Sequence, residues 1–242
     1  MIVETSSPFV WVALCFTLHK SMTAPHVLLL SVFVAVLPLL GSGMKAEQSD
    51  SAETDASSKA ATLWTLELQG DRVQELKLAT ELANNTNVEW AAPWAKGVLN
   101  RLTSVGKQVD MEFTAVDGRH CDLHEMRGKV VLINFWATWC PPCVEGTQKL
   151  KQVYSKYQAQ GLEVVGISWD NDKGKLVKFI AENQLKWPVY FDGTKPGKWG
   201  MAFGIGGVPY LLLVDRSGKL RYCSADESAA IDSEVSKLLA EH

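Results

Sequence analysis

The chain has 242 residues, 47% of them hydrophobic and 21% charged, a balance typical of a globular protein with one or two domains. The formal net charge of -3 and the lack of a long basic run exclude the charge pattern of a nucleic-acid-binding protein. Five cysteines are too few for a disulfide scaffold of this length, and their odd number leaves at least one unpaired within the chain: Cys15, Cys121, Cys140, Cys143 and Cys223.

The N-terminus contains two apolar stretches, at residues 8–18 and 27–40. The second is shorter than the ~20 residues of a membrane-spanning helix, and its length and the following Gly-Ser-Gly are typical of a signal peptide. The alternative is an uncleaved anchor that tethers the chain to a membrane through residues 9–40. Either interpretation of residues 1–43 predicts that the rest of the chain lies in an extracytoplasmic, disulfide-permissive space.

Two segments of different character follow. Residues 44–62 are small, polar and acidic, and this composition predicts a flexible linker. Residues 63–105 have helical periodicity, with Asp71 as a candidate N-cap, a break at "NNTN" and a second helix within "EWAAPWAKGVLNRLTSVG". Trp90 and Trp94 are interpreted as packing residues, and the pattern assigns this helical segment no function.

From residue 106 to 242 the pattern alternates between strands and helices. "VDMEFTAVDGRHCDL" predicts a hairpin around Asp117-Gly118, and the apolar runs "KVVLINFWA" and "LEVVGISW" predict buried parallel strands. A helix is expected from about Pro142 to Gln160, and another over "KGKLVKFIAENQ". The segments "WPVYFD", "YLLLVD" and "KLRYCS" predict further strands, and "AAIDSEVSKLLAEH" predicts a final amphipathic helix.

Cys140 and Cys143 form a C-x-x-C motif where the first of these buried strands passes into a helix. A helix N-terminus favours thiolate, Pro141 and Pro142 stiffen the first turn, and Cys143 lies within reach of Cys140. The position therefore suits reversible thiol–disulfide exchange. A zinc site is disfavoured because no second ligand pair follows, and His120, Cys121 and His124 are interpreted as surface and packing residues. An inert structural disulfide stays open from the local pattern alone.

The motif "GIGGVPYLLLVD" places Pro209 before a strand, about 65 residues after the cysteines. Together with "FWATWCPPC", the opening hairpin and the helix-strand insertion, residues 106–242 resemble thioredoxin-fold proteins of the TlpA/ResA type, within the redoxin superfamily. The resemblance implies a thioredoxin-like α/β fold with an N-terminal β-hairpin and an inserted helix-strand unit. A signal or anchor and a small helical segment would precede it.

The resemblance also implies roles for the matched residues. Cys140 would be the exposed attacking thiol and Cys143 the buried resolving one, while Trp139 would shield the pair. Pro209, in a cis peptide bond with Val208, would leave the neighbouring backbone open to a substrate segment. Asn134 stands where thioredoxin has a buried aspartate. Glu145 is a candidate for tuning the acidity of Cys143, although a helix-dipole role in the first turn is the alternative. A disulfide between Cys121 and Cys223 stays open.

The sequence thus predicts an exported or tethered thiol–disulfide oxidoreductase that needs no cofactor beyond its redox-active disulfide. Its expected partners are disulfide-containing proteins, of the kind met in cytochrome c maturation, and a membrane thiol electron donor. One alternative is a peroxiredoxin-like peroxidase, but the threonine expected three residues before the reactive cysteine is replaced by Ala137, with Thr138 only two before. Another alternative is a non-catalytic module that binds a metal or a partner.

Overall fold

The computed structural model describes residues 44–84, 88–193, 197–225 and 230–241, and side chains from residue 51 onward. The signal or anchor prediction for residues 1–43 lies outside the described residues. In chain order the strands are β1 (Glu112–Thr114), β2 (His120–Asp122), β3 (Val130–Trp136), β4 (Leu162–Ser168), β5 (Val189–Phe191), β6 (Tyr210–Val214) and β7 (Leu220–Ser224). The α-helices are α1 (Met44–Gln69), α2 (Arg72–Ala83), α3 (Ala91–Thr103), α4 (Pro141–Tyr157), α5 (Lys173–Glu182), α6 (Lys198–Phe203) and α7 (Ile231–Ala240).

A five-stranded mixed sheet forms the centre of the C-terminal part, with strand order β5-β4-β3-β6-β7. β3 is parallel to β4, β4 is parallel to β5, and β6 pairs antiparallel with both β3 and β7. Every residue of β3 is buried, as its continuous apolar run predicts. Because β3 is the middle strand, the cysteine motif that follows it lies at the centre of one sheet edge.

The predicted hairpin is confirmed as a separate two-stranded antiparallel sheet, β1-β2. Gly118 has a φ of +86°, which the turn requires and which glycine adopts without a steric penalty. The hairpin is joined to the main sheet where the Val116 N–H donates to the Val189 carbonyl at 2.8 Å. It therefore covers the β5 side of the core.

The helix α4 begins one residue earlier than predicted, since Cys140 is its N-cap and Pro141 its first residue. It runs to Tyr157 and continues as a 3-10 turn, Gln158–Gln160, which ends at Gly161 with a φ of +100°. The sequence pattern did not indicate α6. This helix has only six residues, too few for helical periodicity to be recognised.

The flexible linker predicted at residues 44–62 is wrong: these residues belong to α1. Ala56, Ala60 and Leu63 recur at helical spacing, and all three are buried in a core shared with α2 and α3. Alanine is the best helix former, and its small side chain lets helices approach closely. The average composition of residues 44–62 does not reveal these few buried positions, so it did not indicate a helix. No helix among the described residues is long and apolar enough to cross a membrane.

The first three helices of the described residues, α1 to α3, pack together and are called here the N-terminal helical unit. Its α3 crosses α6 at a point where two glycines meet: a Cβ on Gly97 would lie 2.0 Å from the Met201 carbonyl oxygen and 2.5 Å from the Gly204 nitrogen. No other residue would permit this approach. The unit is thereby fixed against the segment that leads to β6.

Candidate active site

Cys140 and Cys143 are joined by a disulfide at the junction of β3 and α4. The Cys140 sulfur also accepts a hydrogen bond from the Cys143 N–H at 3.3 Å, so it occupies the N-cap position of α4. Pro141 and Pro142 lie in the first turn, where the missing N–H groups would have had no partner within the helix. The helix N-terminus therefore faces the sulfur and would stabilise a Cys140 thiolate after reduction.

The loop from Gly204 to Pro209, called here the proline loop, lies beside the disulfide. The Val208-Pro209 peptide bond is cis. The Val208 carbonyl oxygen is 3.7 Å from the Cys140 sulfur. The two segments that the sequence separates by about 65 residues are thus in contact, because β6 pairs with β3 and starts at Tyr210 beside Phe135.

The exposure predicted for Cys140 is corrected by the structure. Cys140 is only 4% exposed in the disulfide, against 0% for Cys143, because the Val208 backbone lies against its sulfur. Trp139 is 43% exposed, and its indole N–H donates to the Trp169 carbonyl at 3.3 Å. The tryptophan therefore forms surface next to the disulfide, while Trp136 is buried in the core.

A buried carboxylate near the disulfide was missed by the sequence analysis. Asp170 is 2% exposed and is the second residue after β4. Its two oxygens accept the Thr138 N–H, each at 3.2 Å, and it also accepts the Thr138 hydroxyl and, at 2.7 Å, the Ser168 hydroxyl. Its position after β4 could have identified Asp170, because β3 and β4 are parallel neighbours and their C-terminal ends lie at the same sheet edge.

Comparisons with known proteins assign this architecture. The Redoxin family model matches residues 69–240. The chain belongs to the Redoxin family.

Named relatives of this redoxin agree with the assignment. The "Thiol-disulfide oxidoreductase ResA" of Bacillus thuringiensis (strain Al Hakam) is 32% identical over 117 residues, 48% of this chain and 66% of the relative. The protein of the same name from Oceanobacillus iheyensis is 33% identical over 114 residues, 47% of this chain and 57% of the relative. The redoxin thus spans less than two thirds of the length of each of these relatives.

Solved structures show the same fold. A Chlorobium tepidum structure assigned as thiol:disulfide interchange protein DsbE is 30% identical, with a TM-score of 0.51, and covers 57% of this chain and 98% of that chain. A secreted thiol-disulfide isomerase from Corynebacterium glutamicum, 22% identical with a TM-score of 0.51, shares the fold over 56% of this chain and 86% of that chain. The predicted thioredoxin-like fold and the TlpA/ResA resemblance are confirmed.

Asn134 and Glu145, two residues that the resemblance singled out, lie in different environments. Asn134 is buried in β3, and its Oδ1 has no hydrogen-bond partner among the described residues. Glu145 is exposed in the second turn of α4, and the first turn contains no acidic residue. The alternative of a helix-dipole role in the first turn is therefore wrong, because the helix starts at Pro141. A tuning role for Glu145 stays a prediction.

Among the described residues, Cys121 and Cys223 are free thiols, so the bridge between them is not formed. Burial raises the pKa of the Cys121 thiol, which lowers its reactivity. His120 is exposed while Cys121 is buried, since successive strand residues point to opposite faces. In the part of the chain that the structure describes, no group of three or more His, Cys, Asp or Glu residues could hold a metal ion.

Proposed function

We propose that this redoxin is a thiol–disulfide oxidoreductase that reduces disulfide bonds in other proteins through Cys140 and Cys143. The observation that carries the proposal is the Cys140–Cys143 disulfide at a helix N-terminus with the Val208 carbonyl 3.7 Å from its first sulfur. The names of the ResA and DsbE relatives support the same chemistry.

The reaction starts from the reduced dithiol. The Cys140 thiolate attacks one sulfur of a substrate disulfide, forms a mixed disulfide and expels the other substrate sulfur as a thiolate. Cys143 then loses its proton and attacks the Cys140 sulfur, which closes the Cys140–Cys143 bond and releases the second substrate thiolate. Two electrons pass from the protein dithiol to the substrate. The disulfide seen here is the oxidised end of this cycle, and a second dithiol must reduce it again.

The structure gives each step a local reason. The N–H groups at the start of α4 favour negative charge on the Cys140 sulfur, so Cys140 supplies the thiolate for the first attack. Cys143 is fully buried, so it meets substrate only through the mixed disulfide. The Val208 backbone adjoins Cys140, and an extended substrate segment can pair with it as an added strand.

We further propose that the protein works in an extracytoplasmic space and receives electrons from a membrane thiol donor. Proteins of cytochrome c maturation, such as apocytochrome c, are the substrates that the TlpA/ResA resemblance implies. The apolar stretches within residues 9–40 would direct or tether the chain. Fractionation of cells that produce the full chain, with thiol labelling of Cys140, tests the location: labelling by a membrane-impermeant reagent supports it, and labelling only after lysis contradicts it.

The reduction potential of the Cys140–Cys143 pair is the decisive measurement. Tryptophan fluorescence in defined redox buffers reports it, with Cys140→Ser as the control that cannot form the bond. A value near that of thioredoxin, about -270 mV, supports a reductant, whereas a value near -120 mV indicates an oxidant of the DsbA type. If the Cys140–Cys143 pair cannot be reduced and reoxidised, the alternative of a non-catalytic binding module is favoured. Peroxide consumption without a protein disulfide would instead indicate a peroxidase.

A further inference from the structure

The N-terminal helical unit holds the backbone of α6 and of the proline loop. Three side chains of α3 donate to carbonyl groups of α6 and the proline loop: Asn100 to Ala202 at 3.2 Å, Arg101 to Phe203 at 3.1 Å and Trp94 to Ile205 at 3.4 Å. These bonds precede Pro209 in the chain.

The unit also holds the residue that follows Pro209. The Arg101 guanidinium donates to the Tyr210 hydroxyl at 2.7 Å, and the same guanidinium binds the carboxylates of Glu67 in α1 and Glu75 in α2. The two ends of the proline loop are therefore fixed by one set of helices.

Trp64 of α1 adds a surface to this loop. A Cβ on Gly207 would lie 3.3 Å from the Cη2 and Cζ2 atoms of Trp64, and a Cβ on Gly206 would lie 3.1 Å from Trp94 and 3.7 Å from Trp64. Neither glycine has a positive φ, so the close approach of the indoles, not the backbone conformation, explains the glycine pair. Trp64 is half-buried and retains solvent-accessible surface.

This surface adjoins the disulfide. Gly207, which the Trp64 ring contacts, is bonded to Val208, whose carbonyl oxygen is 3.7 Å from the Cys140 sulfur. Neighbouring residues of an added strand are about 3.3 Å apart. Gly207 is the next residue of the proline loop after Val208, counted away from Cys140. The Trp64 ring lies over this position.

We propose that Trp64 is a specificity-determining residue that contacts the substrate polypeptide, so that the N-terminal helical unit completes the substrate-binding face. The inference rests on the proposed function. The partner is an extended segment of a disulfide-containing protein with an apolar side chain two residues from its reactive cysteine.

The geometry of an antiparallel pair gives this position. If the residue next to the substrate cysteine pairs with Val208, the following residue lies opposite Gly207. Directly opposed residues of an antiparallel pair have their side chains on the same face. The Trp64 ring lies on the face where a side chain at position 207 would point. The substrate side chain opposite Gly207 therefore packs on the indole, which favours an apolar group over a carboxylate.

The test uses the full chain with Cys140 and Cys143 reduced and compares substrates with one leaving group. Each peptide contains a single cysteine joined to thionitrobenzoate, with Leu or Asp two residues C-terminal to the cysteine, the position that an antiparallel pair places opposite Gly207. Attack on the peptide sulfur forms the mixed disulfide with Cys140 and releases coloured thionitrobenzoate. Dithiobis(nitrobenzoate), which releases the same group without a peptide, is the reference. The variants are Trp64→Ala and, as matched control, Trp90→Ala, a second half-buried tryptophan of the same unit.

The wild-type chain is expected to prefer the Leu peptide to the Asp peptide, and Trp64→Ala to reduce that preference about tenfold. Its rate ratio of Leu peptide to reference should fall by a similar factor, while Trp90→Ala keeps both ratios. A preference that survives in Trp64→Ala, or that the wild type lacks, overturns the inference alone. A wild-type chain inactive with every substrate overturns the proposed function and this inference with it.

A second measurement leaves Trp64 in place, in case Trp64→Ala does not fold. The Cys143→Ser variant is joined to the Leu peptide through Cys140 as a stable mixed disulfide, and indole N–H resonances are recorded with and without the peptide. Trp64→Phe in the same variant assigns its resonance. A shift of the Trp64 indole with an unshifted Trp90 indole supports the contact. An unshifted Trp64 resonance overturns it.

Discussion

Asp170 connects the two strand ends that form the active-site edge. Its carboxylate, at the end of β4, accepts two hydrogen bonds from Thr138, two residues before Cys140. A third bond comes from the Ser168 hydroxyl. A buried carboxylate with three donors fixes the position of each donor, because leaving any of them unpaired would be unfavourable. Asp170 is therefore a positioning residue for the loop between β3 and α4.

We expect Asp170→Asn to lower the free energy of unfolding by about 2 kcal/mol, because the amide group presents one N–H₂ to donors that need an acceptor. The exchange rate of the reduced protein should fall about tenfold, since the loop before Cys140 loses its fixed position. Urea unfolding and thionitrobenzoate release measure the two effects. A changed reduction potential of the Cys140–Cys143 pair would indicate that the loop before Cys140 has moved. An unchanged potential would indicate a loss of stability alone.

Asp172→Asn is the matched control for Asp170→Asn. Asp172 caps α5, where its carboxylate accepts the Lys175 N–H at 3.0 Å, and asparagine caps helices about as well as aspartate. The control should change the free energy of unfolding by less than about 0.5 kcal/mol. Equal effects of the two substitutions would contradict the positioning role of Asp170.

Glu75 gives the stability of the protein a pH dependence of unusual sign. Burial, with the nearby Glu67 carboxylate, raises the pKa of Glu75 above its ordinary value of 4.5, although Arg101 opposes the shift. Between 4.5 and the raised pKa, the folded state binds more protons than the unfolded state at this site. The contribution of Glu75 is therefore complete below pH 4.5 and is lost as the pH rises through the raised pKa.

Glu75→Gln should remove this contribution. The free energy of unfolding of the wild type relative to Glu75→Gln is expected to decrease from pH 4 to pH 7, at most by about 1.4 kcal/mol per pH unit. Urea unfolding of both proteins across this range measures the difference. Glu234→Gln in α7, where Glu234 pairs with Lys237, is the control for a Glu-to-Gln change outside the N-terminal helical unit. A difference between wild type and Glu75→Gln that is constant with pH would contradict the prediction.

At the scale of the elements, α1 shows what composition misses. Most of its exposed positions are polar or acidic, Leu68 being an exception, and it buries Ala56, Ala60 and Leu63 at helical spacing against α2 and α3. Lys59 also binds Asp55 within α1 and Glu81 of α2, both at 2.8 Å. An isolated helix of this composition would be only marginally stable in water, because most helical stability in proteins comes from tertiary packing. The neighbouring helices therefore decide the structure of residues 51–62.

Gly97→Ala tests the close crossing of α3 and α6. Alanine ordinarily stabilises a helix by about 1 kcal/mol over glycine. Here the new Cβ would lie 2.0 Å from the Met201 carbonyl oxygen, so the helices must separate and the free energy of unfolding should fall by about 2–3 kcal/mol. Thermal or urea unfolding measures it.

Gly174→Ala in α5 is the control, since its Cβ would meet no backbone atom and only a side-chain oxygen of Asp172, at 3.2 Å. It should change the free energy of unfolding by less than about 1 kcal/mol. A Gly97→Ala protein as stable as this control would contradict the close crossing.

At the scale of the whole molecule, local signals predicted the C-terminal part well. The apolar run of β3, the cysteines after it and Pro209 before β6 are each legible from neighbouring residues, and the strand alternation joins them. What escaped prediction depends on distant residues. Asp170 meets Thr138 only across two parallel strands, and Trp64 meets Gly207 only because α3 and α6 cross at Gly97. No periodicity within a segment encodes these contacts.

The described residues form two apolar cores, one around the sheet and one within the N-terminal helical unit. The match covers 98% of the Chlorobium structure but only 57% of this chain. The shared fold therefore exists in that protein without the rest of this chain. We therefore expect residues 104–242 to fold alone, with the Tyr210 hydroxyl uncovered once Arg101 and Glu67 are removed.

Tyrosine titration reads out this uncovering. In the full chain, burial raises the pKa of Tyr210 well above its ordinary value, with Glu67 opposing ionisation and Arg101 favouring it. In the shortened chain the hydroxyl meets water, so phenolate absorbance should show one additional tyrosine ionising near its ordinary pKa of about 10. Tyr210→Phe in the shortened chain should abolish that increment. Identical titration curves for the two chain lengths would mean that the N-terminal helical unit does not cover Tyr210, and an unfolded fragment would show that the two cores depend on each other.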